Sequence, residues 1–124
     1  MFQHYLITRF NLRNPEWDVT KNNELLLTDD WMEERMWFFE NFCFPTVVAQ
    51  TNKNFEWLLY FDLTTPVEYQ NRMTDLIKNH ANIKVFYIDG MPAFYNEMKH
   101  YIDNSKIKKP HIITSRIDND DSIH

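Results

Sequence analysis

The residues best suited to chemistry in this chain are aspartates that follow apolar, β-favouring runs. Asp62, Asp89 and Asp118 each close such a run, and Asp120 and Asp121 follow the last one. Three carboxylates within four residues repel one another unless a cation neutralises them. Hard divalent cations, Mn²⁺ or Mg²⁺, favour carboxylate oxygens and complete their shell with water and substrate phosphates. Asp118, Asp120 and Asp121 therefore read as ligands for a metal–diphosphate, a group that a nucleotide sugar carries. They read equally as a solvated acidic end, or with Asp121 merely capping a following helix, and these readings stay open here. Arginines near these positions add a second chemistry. Arg9, Arg116 and Arg72 are candidates for charge-assisted contacts to phosphate, or else for surface ion pairs or packed stems. A glycine-rich phosphate loop is excluded, because Gly90 is the one glycine in 124 residues.

Other chemistries find less support. Cys43 lies on an apolar helical face and reads as core. His4, His80, His100, His111 and His124 show no zinc-ligand spacing with cysteine, although His124 is close enough in sequence to the aspartates to join them. No nucleophile–base pair is visible. With 13 Lys+Arg against 18 Asp+Glu the net charge is −5, and the densest basic run is only Lys106, Lys108 and Lys109. Duplex nucleic acid is thus not an expected partner. One cysteine cannot form an intrachain disulfide, which points to a reducing, cytoplasmic compartment. The N-terminal apolar run is too short and polar for a signal peptide, and no window approaches a membrane span. Peripheral membrane or oligomer contacts cannot be read.

The elements that must position these residues follow a regular rhythm. β-favouring runs start at His4, Phe55, Ile83 and His111, the last three at a constant step of 28 residues, from 55 to 83 to 111. That step accommodates a strand, a loop, a helix and a loop. Tyr69, Met73, Leu76 and Ile77 form one helical stripe, and Phe94, Met98, Tyr101 and Ile102 another. Pro66 and Pro92 sit where a first turn tolerates proline. Asp30 is the expected N-cap of an earlier helix, with Glu33 at the capping-box position. That helix carries Met32, Met36, Phe39 and Cys43 on one face, until Pro45 breaks or kinks it before a shorter turn to Gln50. Its remaining aromatics, Trp31, Trp37, Phe38 and Phe42, read as core with some share in an interface. The resulting order β-α-β-α-β-α-β implies an α/β fold with a mostly parallel sheet flanked by helices, in which ligands bind beyond the carboxyl ends of the strands.

Several strings carry a resemblance. They are Leu6-Ile-Thr-Arg-Phe-Asn-Leu-Arg13, Trp31-Met-Glu-Glu-Arg35, Phe42-Cys-Phe-Pro-Thr-Val-Val-Ala-Gln-Thr-Asn52, Phe55-Glu-Trp-Leu-Leu-Tyr-Phe-Asp62 and Thr114-Ser-Arg-Ile-Asp-Asn-Asp-Asp-Ser-Ile-His124. In order and over nearly the whole chain, they resemble the putative rhamnosyltransferase family of GT-A-type glycosyltransferases. The resemblance implies a Rossmann-like GT-A half that binds a nucleotide-sugar donor. It also implies metal-dependent transfer of the sugar to a saccharide or other hydroxyl acceptor. Asp118 and Asp120 match the family's Asp-x-Asp metal motif. Arg9 and Asn11 match the loop that borders the nucleoside, with Thr8 beside them a further candidate for nucleotide-sugar binding, and Asp62 matches the acidic position that receives the base N–H. Arg116 precedes the metal motif directly. Such transferases usually continue well past this motif, so residues 1–124 are expected to be one donor-binding domain cut short of its acceptor half. A catalytically incomplete nucleotide-sugar-binding or assembly module is the alternative from another class. A phosphohydrolase or nucleotidyltransferase using the same aspartates is a third.

Overall fold

The computed structural model describes residues 2–12, 29–50, 54–104 and 111–117. Four strands alternate with helices: β1 (Phe2–Arg9), α1 (Asp29–Phe38), a π-helical segment (Phe39–Cys43), α2 (Phe44–Val48), β2 (Phe55–Asp62), α3 (Val67–Ile77), β3 (Ile83–Ile88), α4 (Gly90–Asp103) and β4 (His111–Arg116). The strands form one sheet in the order β3-β2-β1-β4, and every neighbouring pair is parallel. The fold is therefore α/β and Rossmann-like, with a sheet that is parallel throughout.

This order dictates where the helices go. The chain steps from β1 to β2 to β3 in one direction, then crosses back to place β4 on the far side of β1. Right-handed crossovers put helices on one face for the outward steps and on the opposite face for the return. The two cores match this rule. Met32, Met36, Phe39 and Cys43 pack with Phe44, Val47, Tyr69 and Met73 against Leu6, Trp57, Leu59 and Phe61 on one face. On the other, Phe94 of α4 packs with Tyr5, Ile7, Leu58, Tyr60 and Ile88. β2 is covered on both faces, and its residues from Trp57 to Asp62 are all buried. Burial on both faces is why its sequence is a nearly unbroken apolar run. β4 is an edge strand, exposed from Ile113 to Arg116.

The helical stripes fall where their spacing places them. Met32, Met36, Phe39 and Cys43 are each 0% exposed. Pro45 occupies the first turn of α2, after the π-helical segment. A proline cannot donate to the preceding turn, and the wider i→i+5 turns just ahead let the chain pass this point without a break, with Phe38, Cys43 and Phe44 all in right-handed helical dihedrals. The start of α1 differs from the expected cap. The helix already includes Asp29, so Asp30 lies inside it, and Glu33 turns away from the helix start to bind Arg72. The ion pair across to α3 takes the carboxylate that a capping box would have used. At the start of α4, Gly90 has φ 71°, a left-handed value that is costly for a residue with a Cβ. The one glycine thus serves the sharp turn from β3 into α4. Among the described residues no helix is long and apolar enough to cross a membrane.

Candidate functional site

In an open parallel sheet, the crevice for ligands forms at the carboxyl ends of the strands, where the strand order reverses. Here the reversal lies between β1 and β4. Ile7 pairs with Arg116, and the Ile117 N–H donates to the Ile7 carbonyl at 3.1 Å. The backbone leading into Asp118 therefore leaves the sheet at this crevice, beside the end of β1. Asp118, Asp120, Asp121 and His124 themselves lie outside the described residues. Among the described residues, no group of three or more His, Cys, Asp or Glu side chains is placed to hold a metal.

Two polar knots hold the edge, and a third residue stands apart. Thr8 is 0% exposed. Its hydroxyl donates to the Ile117 carbonyl at 2.7 Å and accepts from Trp57 Nε1 at 2.9 Å. It thereby fastens the start of the acidic segment to the core. Asn11, 1% exposed, forms the second knot. Its Oδ1 accepts the Asp62 N–H at 2.9 Å, and its Nδ2 donates to Thr65 Oγ1 at 3.1 Å and reaches Met32 Sδ at 3.4 Å. Asp62 is fully buried. Its Oδ2 accepts the Thr64 N–H at 3.0 Å and the Thr64 hydroxyl, while its carbonyl accepts the Thr65 hydroxyl at 2.6 Å. Asp62-Leu-Thr-Thr is thus a self-capped turn of the kind in which Asp and Thr side chains bond their own backbone.

Arg9 points to the opposite face from Thr8, as strand alternation requires. Its guanidinium sits 5.7 Å from the centre of the Phe94 ring and 3.7 Å from Met91 Sδ, over the first turn of α4. Arg9 is half-buried, and among the described residues it has no carboxylate partner. Arg116 is exposed and shares Arg9's face through its pairing with Ile7. Two arginines therefore lie on one face at this end of the sheet, while Thr8 fastens β1 to the end of β4 and Asn11 fastens it to the end of β2. Arg72 is not brought to this edge. It binds Glu33 through both carboxylate oxygens at 2.8 and 2.9 Å and also binds Glu40. These two carboxylates hold its charge more firmly than usual, and the ion-pair reading of this residue is the one the structure adopts.

Sequence reasoning missed three participants: Trp57, Thr65 and Ile117. The Thr-Thr pair after Asp62 carries a turn signature that could have disclosed Thr65. The roles of Trp57 and Ile117 depend on strand register, which no local pattern encodes. A Ser–His contact was missed as well. His4 Nε2 lies 3.0 Å from Ser115 Oγ, joining residues far apart in sequence. Among the described residues no carboxylate orients the second ring nitrogen, so the contact works as a cross-strand hydrogen bond and not as a nucleophile–base system.

An all-parallel sheet with this reversal defines a Rossmann-like α/β protein whose strand order turns back between β1 and β4. The chain belongs to the family described as putative rhamnosyl transferases, whose sequence profile matches residues 3–124. No curated protein and no solved structure matches the chain significantly. Membership places the chain among glycosyltransferases and implies, in general terms, a sugar donor and an acceptor as partners.

Proposed function

We propose that this chain binds the diphosphate of a nucleotide-sugar donor at the β1/β4 crevice, as the donor half of a GT-A-type transferase. The observation that carries this reading is the register of β4. It brings Arg116 beside β1 and delivers the chain to the crevice one residue before Asp118. In the transfer, the bond from the sugar carbon to the diphosphate oxygen breaks, and a bond to an acceptor hydroxyl oxygen forms. Negative charge gathers on the departing diphosphate, and Arg9 and Arg116 offset it by charge-assisted hydrogen bonds. Thr8, Asn11 and Asp62 act on the donor through the loops they hold, keeping the nucleoside side of the crevice in one shape. Asp118, Asp120 and Asp121 form an all-oxygen donor set that suits Mn²⁺ or Mg²⁺, and such an ion, when bound, would neutralise the diphosphate. The single cysteine, buried and unavailable for a disulfide partner in the same chain, fits a reducing, cytoplasmic setting.

Isothermal titration with Mn²⁺ and a panel of nucleoside diphosphates tests this. Metal-dependent binding is expected, and Asp118→Asn combined with Asp120→Asn should abolish it while leaving the melting temperature in place. Absence of binding, or binding indifferent to both substitutions, would sink the donor-site reading. Binding without transfer or donor hydrolysis would assign the chain to nucleotide-sugar-binding modules instead.

A further inference from the structure

A cavity of about 330 Å³ opens at the other end of the sheet, where β2 and β3 begin. Its walls are apolar and come from Val47 and Val48 of α2, Phe55 of β2 and Ile83 of β3. Its rim is polar and comes from the turn between α3 and β3, through Asn79, His80 and Asn82. That turn is pinned by backbone bonds. The Trp57 N–H donates to the Asn82 carbonyl at 2.8 Å, the Ile83 N–H to the His80 carbonyl at 3.1 Å, and the His80 N–H to the Ile77 carbonyl at 2.9 Å. Asn82 Nδ2 adds a bond to the Phe55 carbonyl at 3.3 Å. The His80 ring stands edge-on to Phe44, with centroids 5.2 Å apart. The cavity is thus formed before any ligand arrives, so little ordering cost falls on binding.

The lining chooses the class of ligand. Among the described residues it contains no Asp, Glu, Lys or Arg, so none of these gives a phosphate, a carboxylate or a metal ion a counter-charge there. The Asn79 amide and the His80 ring nitrogens make no side-chain hydrogen bond among the described residues and can each serve a ligand. The volume is near the lower end of the range for small-molecule sites, about 300–1,000 Å³, which suits one ring and not a dinucleotide. A pyranose offers both surfaces this cavity asks for: a C–H face for Phe55 and the branched aliphatic walls, and ring-edge hydroxyls for amides and imidazole. A flat nucleobase would call for two parallel planar walls, whereas Val47, Val48 and Ile83 present branched ones.

We propose that this cavity is a saccharide-anchoring site that takes one neutral pyranose ring. It is separate from the donor crevice. An eight-residue strand divides the two edges, a separation of roughly 25 Å at the rise of a parallel strand. A ring held here cannot reach the donor carbon, so the site would hold a remote unit of a glycan and not the acceptor hydroxyl itself.

The test is a titration of the full chain with neutral methyl pyranosides, followed by two-dimensional NMR. Saturable shifts are expected at the side-chain amides of Asn79 and Asn82 and at the His80 ring, with millimolar affinity. Asn79 is exposed, so Asn79→Ala should keep a dispersed, folded spectrum while weakening binding roughly tenfold, the worth of one or two hydrogen bonds. His80→Ala should weaken it by a similar factor. The proposal is overturned if no pyranoside gives saturable shifts, if Asn79→Ala and His80→Ala bind as well as the parent, or if adenosine takes the cavity in preference. Failure here leaves the Mn²⁺ and nucleoside diphosphate titration untouched, because that titration reads the opposite edge.

Discussion

Asn11 shows how much one buried amide can hold. It bonds the start of the β2–α3 turn, reaches Thr65 within that turn, and touches Met32 of α1. Asn11→Ala strands the Asp62 N–H in a dry environment, while the Thr65 hydroxyl keeps its bond to the Asp62 carbonyl. Leaving a buried donor unsatisfied should lower stability by about 1–3 kcal/mol, measured as a lower urea midpoint with an unchanged slope. Tyr60 poses the converse case. Its hydroxyl is buried, and among the described residues it has no partner. Burial, with the Glu97 charge as a lesser cause, pushes its pKa well above the usual tyrosine value. Burial also raises Tyr87, and burial followed by the hydrogen bond to Glu56 raises Tyr101. For each, the folded state keeps its proton beyond the unfolded pKa of about 10. The stability tied to these protons is complete below that pH and falls as pH rises above it. Tyr60→Phe removes both the unsatisfied hydroxyl and its titration. It should raise stability at neutral pH by up to about 1 kcal/mol and flatten the alkaline loss, as denaturation midpoints on either side of pH ~10 would reveal.

At the scale of elements, α1, the π-helical segment and α2 act as one continuous cover over the sheet. Its buried stripe carries most of the attachment. Met36→Ala leaves a cavity against the Trp57 face and should cost about 3 kcal/mol. The Arg72 bridge to Glu33 and Glu40 ties this cover to α3 from outside, with the Arg72 side chain 35% exposed. Solvent screening keeps such a link weak, so Arg72→Met should cost less than about 1 kcal/mol, and the difference should disappear in molar salt. A comparable loss at high salt would mean that Arg72 contributes through packing on Tyr69, 5.9 Å from its ring centre. On the outer side of the same cover, Trp37 and Phe42 remain exposed at 52% and 45%. The reading of this aromatic run as core therefore fails for Trp37 and Phe42 and holds for Phe39, which is fully interior.

For the whole molecule, the reversal of strand order is the decisive feature. It puts the switch point beside β1, with Arg9 and Arg116 on one face of the sheet there. If they meet a diphosphate there, Arg9→Ala and Arg116→Ala should each weaken nucleoside diphosphate binding about tenfold to a hundredfold, the worth of a charge-assisted bond. Both effects should shrink as salt rises, and thermal stability should hardly change. Calorimetry at two ionic strengths would check this, and salt-independent binding in the parent would argue against the two arginines.

By itself the sequence determined the element types and the strand positions of this protein. Alternation, helical stripes and the 28-residue step are local patterns, and local hydrogen bonding with amphipathic burial decides them. The resemblance was equally legible, because its motifs are continuous strings. The order β3-β2-β1-β4 was decided only by tertiary packing, since long-range register leaves no mark in any single window. From that order followed the switch point beside β1 and the capture of the Ile117 carbonyl by Thr8. Tertiary packing also decided that Glu33 serves Arg72 and not its own helix start, because an ion pair between helices depends on where they meet.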